Sequence, residues 1–166
     1  MYKRVLVPLD GSMVAEGIIP FIMEIAGPLD MQVVLLRVLV PVRPMAVEGT
    51  YPVTIEDVEK RRAEAEEYLA RVATELRAKG VRATTEVRRG DPVAEILEGA
   101  RDAEADLIAM TTHGRSGLGR LVFGSVAEAV LRHSEIPVFL MRLANDRAAA
   151  RSMAECSMTL RERREL

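Results

Sequence analysis

The sequence predicts an α/β fold: a single doubly wound sheet of five parallel strands with helices on both faces. Two observations predict it. Five short apolar runs alternate along the chain with segments of helical periodicity. Most of these runs are continuously apolar, as in strands buried on both faces of a parallel sheet. The length of 166 residues suits one domain with an aliphatic core, since aromatic residues make up 4% of the chain.

The predicted strands cover residues 5–9, 33–39, 83–89, 107–112 and 138–141. The third alternates polar and apolar residues around Thr84, Thr85 and Val87, which favours a position at a sheet edge. The fifth is apolar and ends the series, so we expect it at the other edge. An uncovered apolar edge invites pairing with a second copy of the chain, unless the C-terminal tail covers it.

The helices are expected at residues 13–26, from 54 or 56 to 79, from 92 onward, and from 125 to about 133. Ser12 is the expected N-cap of the first helix, and Asp91 caps the third ahead of a first-turn proline. Pro20 should kink or divide the first helix because it lacks a backbone N–H. Gly80 is the expected stop of the second helix, whose apolar residues fall on one face.

Two regions lie outside this alternation. The connection at residues 41–53 contains several prolines and is expected to be a loop. We expect a domain over residues 1–142 followed by a helical extension over residues 143–166. Ala149, Met153, Cys156 and Leu160 form an amphipathic stripe in that extension. Such a helix packs on its own domain, frays, or binds a partner.

The overall composition excludes several function classes. A net charge of −2 offers no general electrostatic attraction to nucleic acid or membranes. No apolar run reaches the roughly 20 residues of a membrane span, and the N-terminal residues do not resemble a signal peptide. Cys156 is the single cysteine, so no internal disulfide can form, and we expect a cytoplasmic location.

A glycine-rich loop is the clearest candidate for a binding site. Residues 111–125 read TTHGRSGLGRLVFGS and join the fourth strand to the fourth helix. Glycines let backbone amides approach an anion, and Gly124-Ser125 opens a helix whose N-terminus favours phosphate. Arg115 and Arg120 can add positive charge. At the carboxyl edge of the sheet, this loop should meet the loop after the first strand, at Asp10.

Each of these residues also has a purely structural interpretation. The glycines can serve turn geometry alone, Asp10 can simply cap the first helix, and His113 is typical of a structural hydrogen-bonding residue. Arg115 and Arg120 can be solvated loop charges. The chain contains neither a P-loop motif nor the G-x-S-x-G turn of a serine nucleophile, and its two histidines and single cysteine lie far apart. We therefore predict no catalytic residues and no protein metal ligands.

Three segments, VLVPLDGS, VVLLRV and TTHGRSGLGRLVFGSVAEAVLRHSEIPVFLMR, resemble the universal stress protein family over residues 1–142. Nucleotide-binding members carry G-x-x-G, nine residues, and then G-[ST]. Gly114 and Gly124-Ser125 match this pattern, and Thr111 replaces its first glycine. That threonine would either crowd a ligand or donate a hydroxyl contact. The fold expected is Rossmann-like, of the adenine nucleotide alpha hydrolase-like type, with strand order 3-2-1-4-5.

The resemblance implies an ATP site, or one for ADP or AMP, with Mg²⁺ or Mn²⁺ arriving on the phosphates. It implies that Asp10 contacts the ribose or adenine, that Val38 offers backbone groups to the adenine edge, and that the glycine loop holds the phosphates. The implied nucleotide contacts are Pro8, Leu9, Asp10, Val38, Met110, Thr111, His113, Gly114, Arg115, Ser116, Gly117, Gly124, Ser125 and Val126.

For function, the resemblance implies a nucleotide-dependent stress-response or signalling protein that dimerises through its fifth strand. Two alternatives stay open from the sequence. One is a dimeric interaction scaffold of the same family that binds no nucleotide. The other is a slow ATPase, although no residue of the chain is a convincing general base for attack on a γ-phosphate.

Overall fold

The computed structural model describes residues 2–41, 55–112 and 124–142. Three regions singled out in the sequence lie outside this range: residues 42–53 of the expected long connection, residues 113–123 of the glycine loop, and the expected extension at residues 143–166. The elements are β1 (Arg4–Pro8), α1 (Met13–Glu16), α2 (Ile19–Ala26), β2 (Gln32–Leu39), α3 (Ile55–Ala78), β3 (Arg82–Arg89), α4 (Pro92–Asp102), β4 (Leu107–Thr112), α5 (Ser125–His133) and β5 (Val138–Arg142).

The five strands form one sheet in the order β3-β2-β1-β4-β5. All four neighbouring pairs are parallel, with Val5 opposite both Val33 of β2 and Leu107 of β4. The predicted fold class and strand order are therefore confirmed. The strand bounds differ from the predicted ones by at most one residue at either end.

The core has two layers, one on each face of the sheet. Helices α2 and α3 cover one face, where Ile22 and Leu69 are fully buried against β1 and β2. Helices α4 and α5 cover the other face, where Ile96 and Val130 pack against the sheet. Leu6 and Leu36 point to this second layer, whereas their neighbours in sequence point to the first, as the alternation of a strand requires.

Pro20 divides the predicted first helix into two. The four residues of α1 begin at an N-cap, Ser12, whose Oγ accepts a hydrogen bond from the Ala15 amide at 3.1 Å. Gly17 then ends α1, and α2 starts with Pro20 in its first turn. A first-turn proline is tolerated because the amide it lacks has no helical partner there.

Helix α3 has the predicted buried face, with Ala65, Leu69, Val72 and Leu76 buried and Val58 half-buried. The i,i+4 spacing of Glu67 and Arg71, and of Glu75 and Lys79, predicts ion pairs on the surface of this helix, but Arg71 pairs differently. Arg71 pairs with Glu75 and with Glu16 of α1, not with Glu67. The contact with α1 draws the guanidinium away from the preceding turn. Gly80, at φ +81°, follows the helix in the left-handed conformation that suits glycine.

Both predicted edge strands are edges of the sheet. Among the described residues, β3 pairs with β2 alone, and β5 pairs with β4 alone. The ring of Phe139 in β5 stacks on Phe21 of α2, with centroids 4.6 Å apart, so the edge strand is tied to the first helical layer. Among residues 2–41, 55–112 and 124–142, no helix has the length and hydropathy needed to cross a bilayer.

Candidate functional site

A cavity of about 450 Å³ opens at the carboxyl edge of the sheet, between β1 and β4. The chain order reverses there, since β1 leads to β2 on one side and β4 leads to β5 on the other. Parallel α/β sheets bind ligands at this type of crevice. The lining residues are Pro8, Leu9, Asp10, Ala15, Leu36, Val38, Val40, Pro92, Ile96, Met110, Thr111, Gly124, Ser125, Val126 and Ala127.

The structure brings nine of the fourteen sequence-predicted site residues together around this cavity, namely Pro8, Leu9, Asp10, Val38, Met110, Thr111, Gly124, Ser125 and Val126. They come from β1, β2, β4 and the start of α5. The other five, His113, Gly114, Arg115, Ser116 and Gly117, lie in the part of the loop outside the described residues, as does Arg120.

Sequence reasoning missed the contribution of α4. Pro92 and Ile96 line the cavity, along with four further apolar residues: Ala15, Leu36, Val40 and Ala127. One signal was present in the sequence. Helix α4 begins directly after β3, so its first turns lie at the same carboxyl edge as the glycine loop.

Asp10 stands in the turn between β1 and α1. One carboxylate oxygen, Oδ1, accepts a hydrogen bond from the Ser12 amide at 2.9 Å. The Leu9 amide donates to the Leu36 carbonyl at 2.8 Å, which keeps this part of the turn beside β2. Asp10 therefore shapes the turn, while Ser12 serves as the N-cap of α1. Among the cavity-lining residues that the structure describes, Asp10 alone carries a charge.

The N-terminus of α5 forms the opposite side of the cavity. Gly124 is its N-cap, and within the described residues no side chain caps this end of the helix. The first amides of a helix lack internal partners, and the helix dipole places partial positive charge there. This end of the cavity thus offers backbone donors, together with the Ser125 hydroxyl, to an anionic group.

Thr111 occupies the cavity wall at the place of the motif glycine. It lies near the end of β4, opposite Met141 of β5, and its side chain is buried. The cavity keeps its volume of about 450 Å³ with this threonine in place. In this structure, the β-branched side chain of Thr111 forms part of the cavity wall and does not fill the cavity.

A charged cluster around Arg88 holds α4, the helix that contributes Ile96 to the cavity, against β3. Arg88 of β3, with its side chain 16% exposed, pairs with Glu86 at 2.6 Å and with Glu95 of α4 at 3.6 Å, and it also contacts Asp102. Burial opposes the positive charge, but hydrogen bonds to Asp102 and Glu86 outweigh it and raise the pKa of Arg88. The cluster therefore ties both ends of α4 to β3.

No group of three or more metal-binding side chains is found in the part of the chain that the structure describes. The arrangement at the cavity instead combines an apolar wall, one carboxylate and one helix N-terminus. These features suit a ligand that has an apolar planar part, hydroxyl groups and an anionic end.

Comparison with known proteins identifies the family. The model of the universal stress protein family matches residues 1–142. The chain belongs to the universal stress protein family. A universal stress protein of Methanocaldococcus jannaschii is 34% identical over 145 residues, which cover 86% of this chain and 83% of that protein.

Solved universal stress proteins share the fold. One from Burkholderia pseudomallei is 30% identical with a TM-score of 0.67, covering 84% of this chain and 96% of that one. Three others, one in complex with cAMP, one from Archaeoglobus fulgidus with dAMP and one from Arabidopsis thaliana with AMP, are 23%, 22% and 20% identical. Their TM-scores are 0.63, 0.60 and 0.62; they cover 84–87% of this chain, and it covers 94–98% of theirs.

Proposed function

We propose that this universal stress protein binds an adenine nucleotide, ATP, in the cavity between the carboxyl ends of β1 and β4. One observation carries the proposal: a cavity of about 450 Å³ places an apolar wall, a carboxylate and an uncapped helix N-terminus around a single space. Small-molecule sites typically have this size and this mixture of apolar lining and few polar groups.

In the proposed complex, each part of the cavity meets a different part of the nucleotide. Val38, Ile96 and Met110 enclose the adenine ring, which buries its apolar faces. The Asp10 carboxylate accepts hydrogen bonds from the ribose hydroxyls, and Pro8 and Leu9 wall that side. The backbone amides at Gly124, Ser125 and Val126 bind the phosphates.

The remaining phosphate contacts are expectations from the family motif. His113, Gly114, Arg115, Ser116 and Gly117 would close over the phosphates from residues outside the described part of the chain. Mg²⁺ or Mn²⁺ would come with ATP and keep mostly phosphate oxygens and water as ligands, which fits the scarcity of acidic residues around the cavity.

Proteins of the same fold support the nucleotide class. The three solved with cAMP, dAMP and AMP show that this fold accommodates adenine joined to a sugar and phosphate. The same crevice in this chain opens at a helix N-terminus, where additional phosphates gain favourable contacts. Binding and signalling, with at most slow hydrolysis, fit a cavity in which Asp10 is the one acidic residue among those described.

We further propose that the protein acts as a homodimer through β5. Val138, Phe139, Leu140 and Met141 are each half-buried in the isolated chain, and β5 has one neighbour strand in the part of the chain that the structure describes. An apolar edge strand with unpaired backbone groups is stabilised by pairing with a second copy. Light scattering combined with size-exclusion chromatography should report twice the mass of 18.3 kDa.

The test of nucleotide binding is a thermal shift followed by calorimetry. ATP at 100 times its Kd should stabilise the folded protein by about 2.7 kcal/mol. For a domain of this size, that corresponds to a rise in Tm of roughly 5–11 °C. An unchanged Tm at millimolar ATP, AMP and cAMP, together with calorimetry that detects no binding, would contradict the proposal.

Gly124→Val tests where the phosphates bind. Gly124 has φ −57° and ψ 143°, values that valine adopts without strain, so the fold should persist. Its side chain would stand where phosphate approaches, and we expect ATP affinity to fall by at least about tenfold, or ~1.4 kcal/mol. Gly27→Val is the matched control, because a Cβ there meets neighbours only at ordinary distances and lies outside the cavity lining. Equal affinities in the two variants would count against this placement of the phosphates.

A further inference from the structure

Arg37 lies directly against the turn that carries Asp10. It precedes the cavity residue Val38 on β2, so its side chain points to the opposite face of the sheet. The guanidinium covers Gly11 so closely that a Cβ at that position would lie 3.0 Å from Arg37 Cζ and would overlap Nη1. The turn thus has the cavity on one side and a cation on the other.

A stack of side chains holds this guanidinium in place. Arg37 Cζ lies 5.0 Å from the centroid of the Tyr68 ring, and Arg71 Cζ lies 5.4 Å from the same centroid. Both distances are within the range of cation–π attraction. Tyr68 and Arg71 belong to α3, so the stack connects the long helix to β2 and to the turn.

The same helix also contacts the far end of the segment. Arg71 Nη2 lies 3.4 Å from an Oε1 of Glu16, the last residue of α1. Helix α3 is therefore linked to the Asp10–Glu16 segment at two points. Arg71 contacts Glu16 directly, and Tyr68 holds Arg37 of β2, which in turn contacts Gly11. The segment itself is short, since α1 has four residues, and it contributes Asp10 and Ala15 to the cavity.

We propose that Arg37 is a positioning residue for the bound nucleotide: stacked on Tyr68, it holds the turn at Gly11 so that Asp10 faces the ribose. This inference rests on the proposed nucleotide site. Its physical basis is preorganisation, because a turn held before the ligand arrives loses less conformational entropy on binding. Arg37 contacts no ligand itself and acts through Asp10.

Arg37→Met in the full chain is the test, with ATP affinity measured by calorimetry. Methionine keeps an unbranched apolar stem but removes the cation, and Kd should rise by about two- to tenfold. Arg37→Lys keeps a cation over the ring and should recover part of the affinity. Arg62→Met is the matched control: Arg62 lies on the exposed side of α3, pairs with Glu66, and should leave Kd unchanged.

A double-mutant cycle separates positioning from general destabilisation. If Arg37 acts through Asp10, Arg37→Met should have little effect on Kd in an Asp10→Ala background. The inference would be overturned if Arg37→Met raised Kd by the same factor with and without Asp10→Ala, or if Arg37→Met alone left Kd unchanged. Either result would leave the nucleotide site intact.

Hydrogen exchange provides a second measurement that needs no ligand. The Ser12 amide donates to Asp10 Oδ1, so its protection reports the state of the turn. Arg37→Met should lower that protection, and unchanged protection would refute the role of Arg37. If the wild-type protein bound no ATP, the proposed function would be overturned, and the nucleotide role of Arg37 with it. That result differs from an unchanged Kd or unchanged amide protection in Arg37→Met, which would overturn the role of Arg37 alone.

Discussion

Gly11→Ala is the substitution whose cost the structure allows to be worked out in parts. Gly11 has φ +81°, a left-handed conformation that costs a residue with a Cβ about 1–2 kcal/mol. The added methyl group would also displace the Arg37 guanidinium from the turn and from the Tyr68 ring. Losing that cation–π contact adds about 0.5–1 kcal/mol, which gives roughly 1.5–3 kcal/mol in total.

Gly80→Ala supplies the matched reference. Gly80 has the same φ of +81°, but a Cβ there would meet no atom within 4 Å. Its cost should be the backbone strain alone, about 1–2 kcal/mol. The difference between the two variants therefore isolates the contact between Arg37 and the turn.

Urea and thermal denaturation of both variants measure the difference. We expect Tm to fall by roughly 3–12 °C for Gly11→Ala and by about 2–8 °C for Gly80→Ala. In an Arg37→Met background, the two alanine substitutions should cost the same, since the displaced guanidinium is gone. The reasoning is refuted if Gly11→Ala costs no more than Gly80→Ala in the wild-type background.

Two further substitutions test local strain and burial. Glu104 has φ 49° and is exposed, so Glu104→Gly should raise the free energy of unfolding by about 1 kcal/mol in urea denaturation; a loss of stability would show that its pairing with Arg4 outweighs the strain. Burial of the Tyr68 hydroxyl, together with the neighbouring Glu16 carboxylate, raises the pKa of Tyr68. The unfolded state therefore loses the Tyr68 proton at a lower pH than the folded state does. The contribution of Tyr68 to the free energy of unfolding is complete below about pH 10 and is lost as the pH rises further. Tyr68→Phe should therefore gain stability relative to wild type as pH rises above about 10, and parallel pH profiles would contradict this.

The fold was predictable because the strand segments have recognisable apolar patterns in the sequence. Residues 33–39 are almost wholly apolar and residues 107–110 are wholly apolar, as is typical of strands covered on both faces. The capping residues Ser12 and Asp91 mark helix starts correctly. The i,i+4 spacing along α3 did not predict which carboxylates form ion pairs with Arg71. One of these partners is Glu16, which is 55 residues away in sequence and becomes a neighbour of Arg71 only through the fold.

The candidate site was predicted in part for a similar reason. Motif residues such as Asp10 and Gly124 are recognisable because their type and spacing are constrained by the chemistry of an anion site. Ile96 and Ala15 have no such signature, since an apolar residue on a helix is interpreted equally well as core. Arg37 was missed because it reads as one charged residue inside an apolar strand, and its contact with Gly11 appears only in three dimensions.

The cluster at Arg88 has a consequence for how this sequence can change. One guanidinium serves three carboxylates, from Glu86, Glu95 and Asp102. Replacing Arg88 alone would leave these acids facing one another without a counter-charge, whereas an apolar residue at all four positions would leave no charge to compensate. A substitution of Arg88 should therefore be tolerated only when the carboxylates around it are replaced as well, which couples the evolution of these positions.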